Sequence, residues 1–344
     1  MIEAALSQAA YQDLAFPALA YHGGNLSAAR RLYPNAPQPW IDLSTGVNPH
    51  PYPLPAIDPQ AWTHLPDSAA LAQLESAAAE RYRARPPAEV VAAPGSQAII
   101  QMLARLLPAR RVGVLGATYP GHARAWVAAG AEVSQVERLD ALKAFDAAVV
   151  VNPNNPDGRI VGAPALRHLA REMAPRLLIV DEAFADFDPV DQSLAPHLPE
   201  CGAIVLRSFG KTFGLPGLRL GFAILPPDLA APLRAALGPW AVSGPAIEVA
   251  LKALPDTAWL ASMRVRLAGE ASSLDGLLAS AGWSVIGGAN LYRLASRQDA
   301  PARFLALLRS GVLARPFADA PDRLRFGLPA DDAAWERLAA ALAR

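Results

Sequence analysis

Short apolar runs alternate with helical patterns along most of this chain. Residues 68–84 place Leu71 and Leu74 at helical spacing, and Ser68 stands where it can cap the helix. Apolar runs of strand length, several of them β-branched, cover residues 90–93, 112–115, 147–151, 177–180, 204–206 and 222–225. The clearest helices between them are predicted over residues 96–107 and 121–129. This alternation predicts a mostly parallel sheet with helices on both faces.

The pattern changes after Pro245. Residues 246–280 predict one or two long helices; strands are then predicted over residues 283–286, 291–294 and 324–327, and helices over 304–310 and 332–343. The first 60 residues are rich in Pro, Gly, Asn and His, which favours an irregular arm with at most one short helix. We therefore expect an arm with part of a small domain (1–44), a large domain (45–245) and a small C-terminal domain (246–344).

Polar residues follow the ends of the predicted strands. In sheets of this kind, ligands bind beyond the carboxyl ends of the strands. The candidates selected by this rule alone are Gly95-Ser96, Thr118-Tyr119, Asn152–Asn155, Asp181 and Ser208–Lys211.

Composition narrows the class of protein. A chain of 344 residues with 52% hydrophobic residues suits a large domain with a smaller companion. The 31 basic and 31 acidic residues balance, so we expect neither a nucleic acid nor a membrane as partner. Cys201 is the only cysteine and the six histidines lack HExxH spacing, so we expect no disulfide and no metal site. The N-terminus does not resemble a signal peptide, and we expect a cytoplasmic protein.

The segment Ser208-Phe209-Gly210-Lys211-Thr212 admits three readings. A phosphate-binding P-loop would need a glycine at the position of Val205, so that reading fails. A serine acyltransferase would need KTG or SDN partners, which the sequence lacks. The third reading is a lysine that holds pyridoxal phosphate (PLP) in a Schiff base, with Ser208 and, eight residues after Lys211, Arg219 on the cofactor phosphate. Only Lys143 and Lys252 compete for the role of the covalent lysine.

Other strand-end residues suit the same cofactor. Asp181 ends an apolar strand, where a carboxylate needs a charged partner such as a protonated pyridine nitrogen; by itself it would be a capping or loop residue. Asn155 can bond the phenolic oxygen, although Asn-Pro segments are usually turns. Gly95, Ser96 and Gln97 open a helix and can bind an anion, although an ordinary helix cap looks the same. Tyr119 can stack on the ring, or simply pack.

Taken in order, the motifs GSQ, TYPG, NPNNP, DEAF, SFGKTFGLPGLRLG and LRFG resemble the fold-type I PLP enzymes of the aminotransferase class I/II superfamily. The resemblance implies an α/β fold: a large domain with a mostly parallel seven-stranded sheet and helices on both faces, plus a smaller α+β domain. It implies Lys211 as the Schiff-base lysine, Asp181 on the pyridine nitrogen, Asn155 near the phenolic oxygen and Tyr119 on the ring. The residues implied on the cofactor phosphate are Gly95, Ser96, Gln97, Ser208 and Arg219.

Three features resemble a decarboxylating branch of this family that serves cobalamin biosynthesis. They are HGGN at residues 22–25, STGVNP at residues 44–49, and Phe184 where transaminating relatives usually carry Tyr. The resemblance implies decarboxylation of L-threonine O-3-phosphate, with histidinol-phosphate transamination as the alternative. A regulatory or binding domain on the same fold is disfavoured because Lys211, Asp181 and Asn155 are intact. The implied substrate ligands are His22, Asn25, Gly46, Val47, Asn48, Asn155, Arg315 and Arg325.

Two of these predictions have a competing interpretation or a departure from the family pattern. Arg315 precedes Pro316 and could be a surface arginine in an arginine-rich protein. The family is expected to form homodimers, but this chain has Leu65 where many relatives place a tyrosine that reaches the partner subunit's cofactor phosphate. His64 is the candidate replacement.

Overall fold

The computed structural model describes residue 19 and residues 22–188 and 192–343. Residues in contact group into two compact units, one made of Pro51–Met263 and the other of Met1–His50 with Arg264–Arg344. The sequence placed both boundaries earlier in the chain, after residues 44 and 245. Helix Gly244–Ala253 packs on helix Ser68–Tyr82, which keeps the residues just beyond 245 with the larger unit.

The strands, numbered in chain order, are β1 Ile41–Asp42, β2 Glu89–Ala93, β3 Arg111–Leu115, β4 Glu132–Val136, β5 Ala147–Val151, β6 Leu177–Asp181, β7 Ile204–Ser208, β8 Gly221–Leu225, β9 Ser284–Ala289, β10 Tyr292–Ser296, β11 Val312–Leu313, β12 Arg315–Pro316 and β13 Arg323–Gly327.

The α-helices are α1 Leu26–Leu32, α2 Gln60–Thr63, α3 Ser68–Tyr82, α4 Ser96–Leu106, α5 Pro120–Ala128, α6 Ala163–Met173, α7 Phe209–Thr212, α8 Pro227–Leu237, α9 Gly244–Ala253, α10 Thr257–Ser280, α11 Ala300–Arg309 and α12 Asp332–Leu342. Short 3-10 turns lie at Leu139–Ala144, Ala185–Phe187, Ala195–Glu200 and Pro216–Leu218.

Unit Pro51–Met263 contains a seven-stranded sheet in the order β2-β8-β7-β6-β5-β3-β4, in which only β8 runs antiparallel to its neighbours. The predicted mostly parallel seven-stranded sheet is therefore confirmed. Its central strands are buried because both faces are covered: all five residues of β5 are enclosed, and Ile99, Trp126 and Leu206 belong to one apolar core. Each fully buried large apolar side chain contributes about 1.5–3 kcal/mol to the stability of the folded chain.

The smaller unit contains a four-stranded antiparallel sheet in the order β12-β13-β10-β9, and a parallel pair formed by β1 and β11. Helices α11 and α12 pack against each other in this unit. This arrangement confirms the predicted smaller α+β domain.

Two local details differ from the sequence prediction. Asp67, not Ser68, caps α3, because its carboxylate accepts a hydrogen bond from the amide of Ala69 at 3.2 Å. Residues 246–280, for which one or two helices were predicted, form two, α9 and α10. The arm contains a strand, β1, in addition to a short helix.

No helix of the described ranges is long and apolar enough to cross a membrane.

Candidate active site

Lys211 lies on a tight turn directly after the central strand β7. That strand ends at Ser208, and the four-residue helix α7 carries Lys211 in its last turn. The Lys211 ammonium group lies 4.2 Å from the centre of the Phe184 ring, close enough for a cation–π interaction. Phe184 follows β6, so the two neighbouring strands bring Lys211 and the DEAF segment together, as the sequence predicted.

Asp181 ends β6 and is almost wholly enclosed. Its carboxylate accepts hydrogen bonds from Nε2 of His122 at 2.9 Å and from the amide of Ala183 at 3.1 Å. Burial alone would raise the pKa of Asp181. The hydrogen bond from His122 and the positive charge of Lys211 outweigh burial and hold that pKa below its usual value. Asp181 therefore favours the anionic form, and besides the turn-type bond from Ala183 it has a buried partner in His122.

His122 is a site residue that the sequence prediction missed. It lies on the buried face of α5, three residues after Tyr119, and its ring meets the Tyr119 ring edge-on at 6.2 Å. The available signal was its position in the first turn of the helix that follows β3, where a side chain points towards the strand ends.

The turn between β2 and α4 forms an anion-binding cradle. Gly95 has φ +87°, and a Cβ at this position would lie 2.8 Å from Nη2 of Arg219. A Cβ at Gly221 would collide with the amide nitrogen of Ser96. The two glycines therefore let the guanidinium group of Arg219 and strand β8 approach the N-terminus of α4, which attracts anions.

Gln97 has a side-chain contact that the sequence did not anticipate. Its Oε1 accepts a hydrogen bond from the Tyr119 hydroxyl at 2.8 Å. This contact ties the Tyr119 hydroxyl to the first turn of α4. It leaves the amide groups of Ser96 and Gln97 to the predicted anion.

In the NPNNP turn after β5, two asparagines have structural contacts and the third is the candidate cofactor ligand. The Asn152 side chain bonds the backbone of Val161 in both directions, at 3.0 and 2.8 Å. Asn154 is wholly buried and bonds the Thr118 hydroxyl at 2.5 Å and the Ala117 carbonyl at 2.9 Å. Asn152 therefore closes the loop after β5 on itself, and Asn154 joins that loop to the one after β3. Asn155, which is 9% exposed, stays the predicted ligand of the phenolic oxygen.

Three groups of unit Pro51–Met263 match the three functional groups of PLP. The cofactor carries an aldehyde, a phosphate and a pyridine nitrogen. Lys211 offers an amine, the cradle at Gly95 and Arg219 offers an anion site, and Asp181 offers a buried carboxylate. The fit depends on the Gly95 cradle, which a Cβ would fill, and on the buried anion.

Unit Met1–His50 with Arg264–Arg344 presents two buried arginines side by side. Arg315 on β12 and Arg325 on β13 are direct partners in the antiparallel register, and they are 5% and 4% exposed. Directly paired residues project from the same face of a sheet. The reading of Arg315 as a surface arginine is therefore wrong.

Arg325 is held by its surroundings. Its guanidinium group donates to the Ser44 carbonyl at 2.7 Å and lies 5.0 Å from the centre of the Tyr292 ring. Burial and then the neighbouring charge of Arg315 lower the pKa of Arg325 to about 9. A bound anion would oppose both effects, so this pair has the electrostatics of an anion site.

The predicted ligands from the first 50 residues occupy defined positions in the same unit. Asn25 caps α1, accepting from the amide of Ala28 at 3.2 Å. His22 is exposed, and its Nδ1 lies 2.8 Å from the Gly23 carbonyl. Asn48 is buried and accepts from the amide of His50 at 2.9 Å, with buried Gly46 and half-buried Val47 just before it. Their roles towards a substrate stay predictions.

Leu65 is 67% exposed, at the position where many relatives carry the cross-subunit tyrosine. His64 beside it is also exposed, and its Nδ1 lies 3.1 Å from the Thr63 hydroxyl. The predicted replacement of that tyrosine by His64 stays untested.

Comparison with known proteins gives the architecture first. The chain superimposes on histidinol-phosphate aminotransferase from Sinorhizobium meliloti in complex with pyridoxal-5'-phosphate with TM-score 0.79 and 20% identity, over 92% of this chain and 93% of that one. L-threonine-O-3-phosphate decarboxylase from Porphyromonas gingivalis gives TM-score 0.72 and 19% identity, over 88% and 98% of the two chains. The fold is that of the fold-type I PLP enzymes.

Sequence comparison then gives the family. The model of the family "Aminotransferase class I and II" matches residues 38–342, so the chain belongs to that family. A threonine-phosphate decarboxylase from Pseudomonas aeruginosa is 44% identical over 93% of this chain and 96% of its own length. Another from Sinorhizobium sp. is 46% identical over 94% and 97%. A histidinol-phosphate aminotransferase from Nitratidesulfovibrio vulgaris is 38% identical, but over only 53% and 48%.

Proposed function

We propose that this chain is a PLP-dependent decarboxylase that converts L-threonine O-3-phosphate into (R)-1-amino-2-propanol O-2-phosphate and CO2, a step of cobalamin biosynthesis. The observation that carries the proposal is the pair of buried arginines, Arg315 and Arg325, because the substrate has two anionic groups, an α-carboxylate and a phosphate. Two relatives with this activity in their names align over nearly the whole chain, which supports the same reading.

The cofactor and the residues of unit Pro51–Met263 divide the chemistry. PLP supplies an electron sink for the electron pair that remains when CO2 leaves. Lys211 would hold the cofactor through its Nζ, and the same Nζ could return a proton to the substrate's Cα after CO2 has left. Asp181, kept ionised by His122 and Lys211, holds a proton on the pyridine nitrogen. Phe184 is buried and lies against the Lys211 ammonium group, where its ring excludes water.

We expect the arginine pair to select the bond that breaks. Arg325 would bind the α-carboxylate and fix the orientation of the Cα–carboxylate bond, whereas Arg315 would bind the phosphate together with His22 and Asn25. PLP, when bound, would favour cleavage of the bond aligned with its π system, so a substrate held in another orientation would lose the Cα proton and be transaminated.

Transamination of the histidinol-phosphate aminotransferase type is the second candidate, supported by the partial similarity to those enzymes. Phe184 disfavours it, because transaminating relatives usually carry a hydroxyl at this position. The two reactions differ in co-substrate. With phosphorylated amino acids and amines as a panel, a decarboxylase turns over without 2-oxoglutarate, and a strict dependence on 2-oxoglutarate would establish the transaminase.

We propose a homodimer. Leu54, Trp62, Leu65 and Trp240 are all more than half exposed in unit Pro51–Met263. Helix α2, which carries Trp62, packs against helix α9, which begins four residues after Trp240. Exposed apolar side chains that lie close together mark interaction surfaces. Sedimentation should show a dimer that Trp62→Glu weakens. A fully active monomer at all concentrations would contradict the assignment.

We also propose a cytoplasmic location, supported by the single cysteine, Cys201, in a chain of 344 residues. Fractionation of cells that express the protein should place the decarboxylase activity with the cytosolic markers. Recovery with the membranes would contradict it.

A further inference from the structure

A buried cluster of charged groups lies behind the Lys211 turn. It consists of Glu182, Asp186, Arg207 and Thr212, which are at most 5% exposed, together with Arg81 at its edge. None of these residues has a part in the chemistry proposed above. Two of them, however, are direct neighbours in sequence of residues that do: Glu182 follows Asp181, and Thr212 follows Lys211.

Arg207 connects the two carboxylates of the cluster. Its Nη1 donates to Oε2 of Glu182 at 2.7 Å, and its Nη2 donates to Oδ1 of Asp186 at 2.6 Å. Glu182 also accepts from the Ser193 hydroxyl at 2.7 Å and from the amide of Leu194 at 2.6 Å. The position of Glu182 at the end of β6 is therefore fixed by three donors.

Asp186 makes the contact that reaches the lysine turn. Its Oδ2 accepts a hydrogen bond from the Thr212 hydroxyl at 2.6 Å, while its Oδ1 accepts from Arg81 at 2.8 Å as well as from Arg207. Burial alone would raise the pKa of Asp186, but the charges of Arg207 and Arg81 and the Thr212 hydrogen bond outweigh it, and the pKa lies below its usual value. Asp186 is thus an anion, and its bond from Thr212 is charge-assisted.

The hydrogen bond between Thr212 and Asp186 constrains the short helix that carries Lys211. Helix α7 has only four residues, Phe209–Thr212, so its own backbone hydrogen bonds give little rigidity. The hydroxyl of Thr212 ties the last residue of α7 to the turn Ala185–Phe187, which begins directly after Phe184. The ring of Phe184 lies against the Lys211 ammonium group, so the tie and the ring hold the lysine from two sides.

We infer that Thr212 and Asp186 are positioning residues for Lys211: the hydrogen bond between them sets where the lysine Nζ stands relative to Asp181. The inference rests on the proposed function insofar as Lys211 is the cofactor lysine. The cluster also stabilises the fold, which is a separate effect. Arg81 contributes to that stability through its hydrogen bond to Asp186, but it does not contact α7.

The variants are chosen to separate the two properties. Thr212→Val keeps the shape of the side chain and removes the hydroxyl. Thr212→Ser keeps the hydroxyl and is the matched rescue. Arg81→Gln removes the positive charge of another partner of Asp186 without touching α7, and serves as the control for a loss of stability alone. Thr212→Ala replaces Thr212→Val if the valine variant does not fold.

The first readout does not need the cofactor. The chain has three lysines, so reductive 13C-methylation of the cofactor-free full-length protein should give three lysine signals, and Lys211→Arg identifies that of Lys211. In Thr212→Val we expect the Lys211 signal to shift or broaden and its titration midpoint to move, while Lys143 and Lys252 stay unchanged. Thr212→Ser and Arg81→Gln should keep the wild-type Lys211 signal, and Arg81→Gln should show only a lower melting temperature.

The second readout uses the holoenzyme. Loss of a charge-assisted hydrogen bond should lower kcat about tenfold or more in Thr212→Val, with little change in KM, and Thr212→Ser should restore most of it. A Lys211 signal in Thr212→Val that matches wild type, with only the melting temperature lowered, would overturn the inference and make the bond purely structural. If wild-type Lys211 instead fails to form a cofactor linkage, the proposed function is wrong, and the lysine signals still decide the positioning claim.

Discussion

Nε2 of His122 lies 2.9 Å from Oδ2 of Asp181, and both side chains are almost wholly buried. The pairing explains how a carboxylate can stand ionised at the end of an apolar strand, because a buried charge is tolerated only with a partner and hydrogen bonds. The same hydrogen bond ties α5, which carries His122, to Asp181, the residue proposed to hold the proton on the pyridine nitrogen.

Removing His122 should therefore damage turnover without removing the cofactor. In His122→Ala we expect kcat to fall by about one to two orders of magnitude, since a hydrogen bond to a charged group contributes about 1.5–3 kcal/mol. His122→Gln, which keeps a donor, should recover part of the loss. Steady-state kinetics with cofactor occupancy measured in parallel checks this. Wild-type kcat in the alanine variant would mean that Asp181 needs no partner.

The ionisation of Asp181 predicts a pH dependence of stability. Its pKa is lowered in the folded chain, whereas an unfolded Asp titrates at about 3.9. The stabilising contribution is present above about pH 4 and is lost as the pH falls through the lower folded value. Between about pH 5 and pH 2.5 the urea midpoint of the cofactor-free wild type should fall more than that of Asp181→Asn. Other carboxylates are common to both proteins, so parallel curves would contradict the assignment.

Lys211 should be the one lysine that binds the cofactor covalently. Borohydride reduction followed by peptide mass spectrometry should find the label on Lys211 in the wild type, in Lys143→Ala and in Lys252→Ala. Lys211→Ala should carry no reducible linkage. A label retained in Lys211→Ala, or found on either other lysine, would refute the assignment.

The two buried arginines should have separable effects. Arg325→Ala should lower kcat and substrate affinity together, because Arg325 sets the orientation of the reacting bond. Arg315→Ala should weaken binding of phosphorylated substrates by about 2–5 kcal/mol, as expected when one partner of a buried ion pair is truncated. The preference for phosphothreonine over threonine should shrink with it. Steady-state kinetics of both variants on both substrates checks this, and an undiminished preference in Arg315→Ala would mean that the phosphate is bound elsewhere.

The buried central strands were readable from the sequence because they are continuous apolar runs, such as Ala147–Val151. The edge strand Glu132–Val136 was not, because its residues are half-buried or exposed and alternate with polar ones. Lys211, Asp181 and Asn155 follow strands and fall within recognisable motifs. His122 was missed although its place in the first turn after β3 was a signal, because the rule used here considered only residues at strand ends. Arg207 could not be predicted, since its burial depends on the carboxylates that the fold brings to it.

The central claim is that the enzyme cleaves the Cα–carboxylate bond of phosphothreonine. The most direct measurement incubates the PLP-loaded protein with carboxyl-13C-labelled L-threonine O-3-phosphate, without any 2-oxo acid, and follows the products by NMR. We expect labelled CO2 and bicarbonate to appear in equal amount to unlabelled 1-amino-2-propanol O-2-phosphate, over many turnovers. A label that stays on the organic product, with turnover only after 2-oxoglutarate is added, would contradict the decarboxylase assignment and establish an aminotransferase.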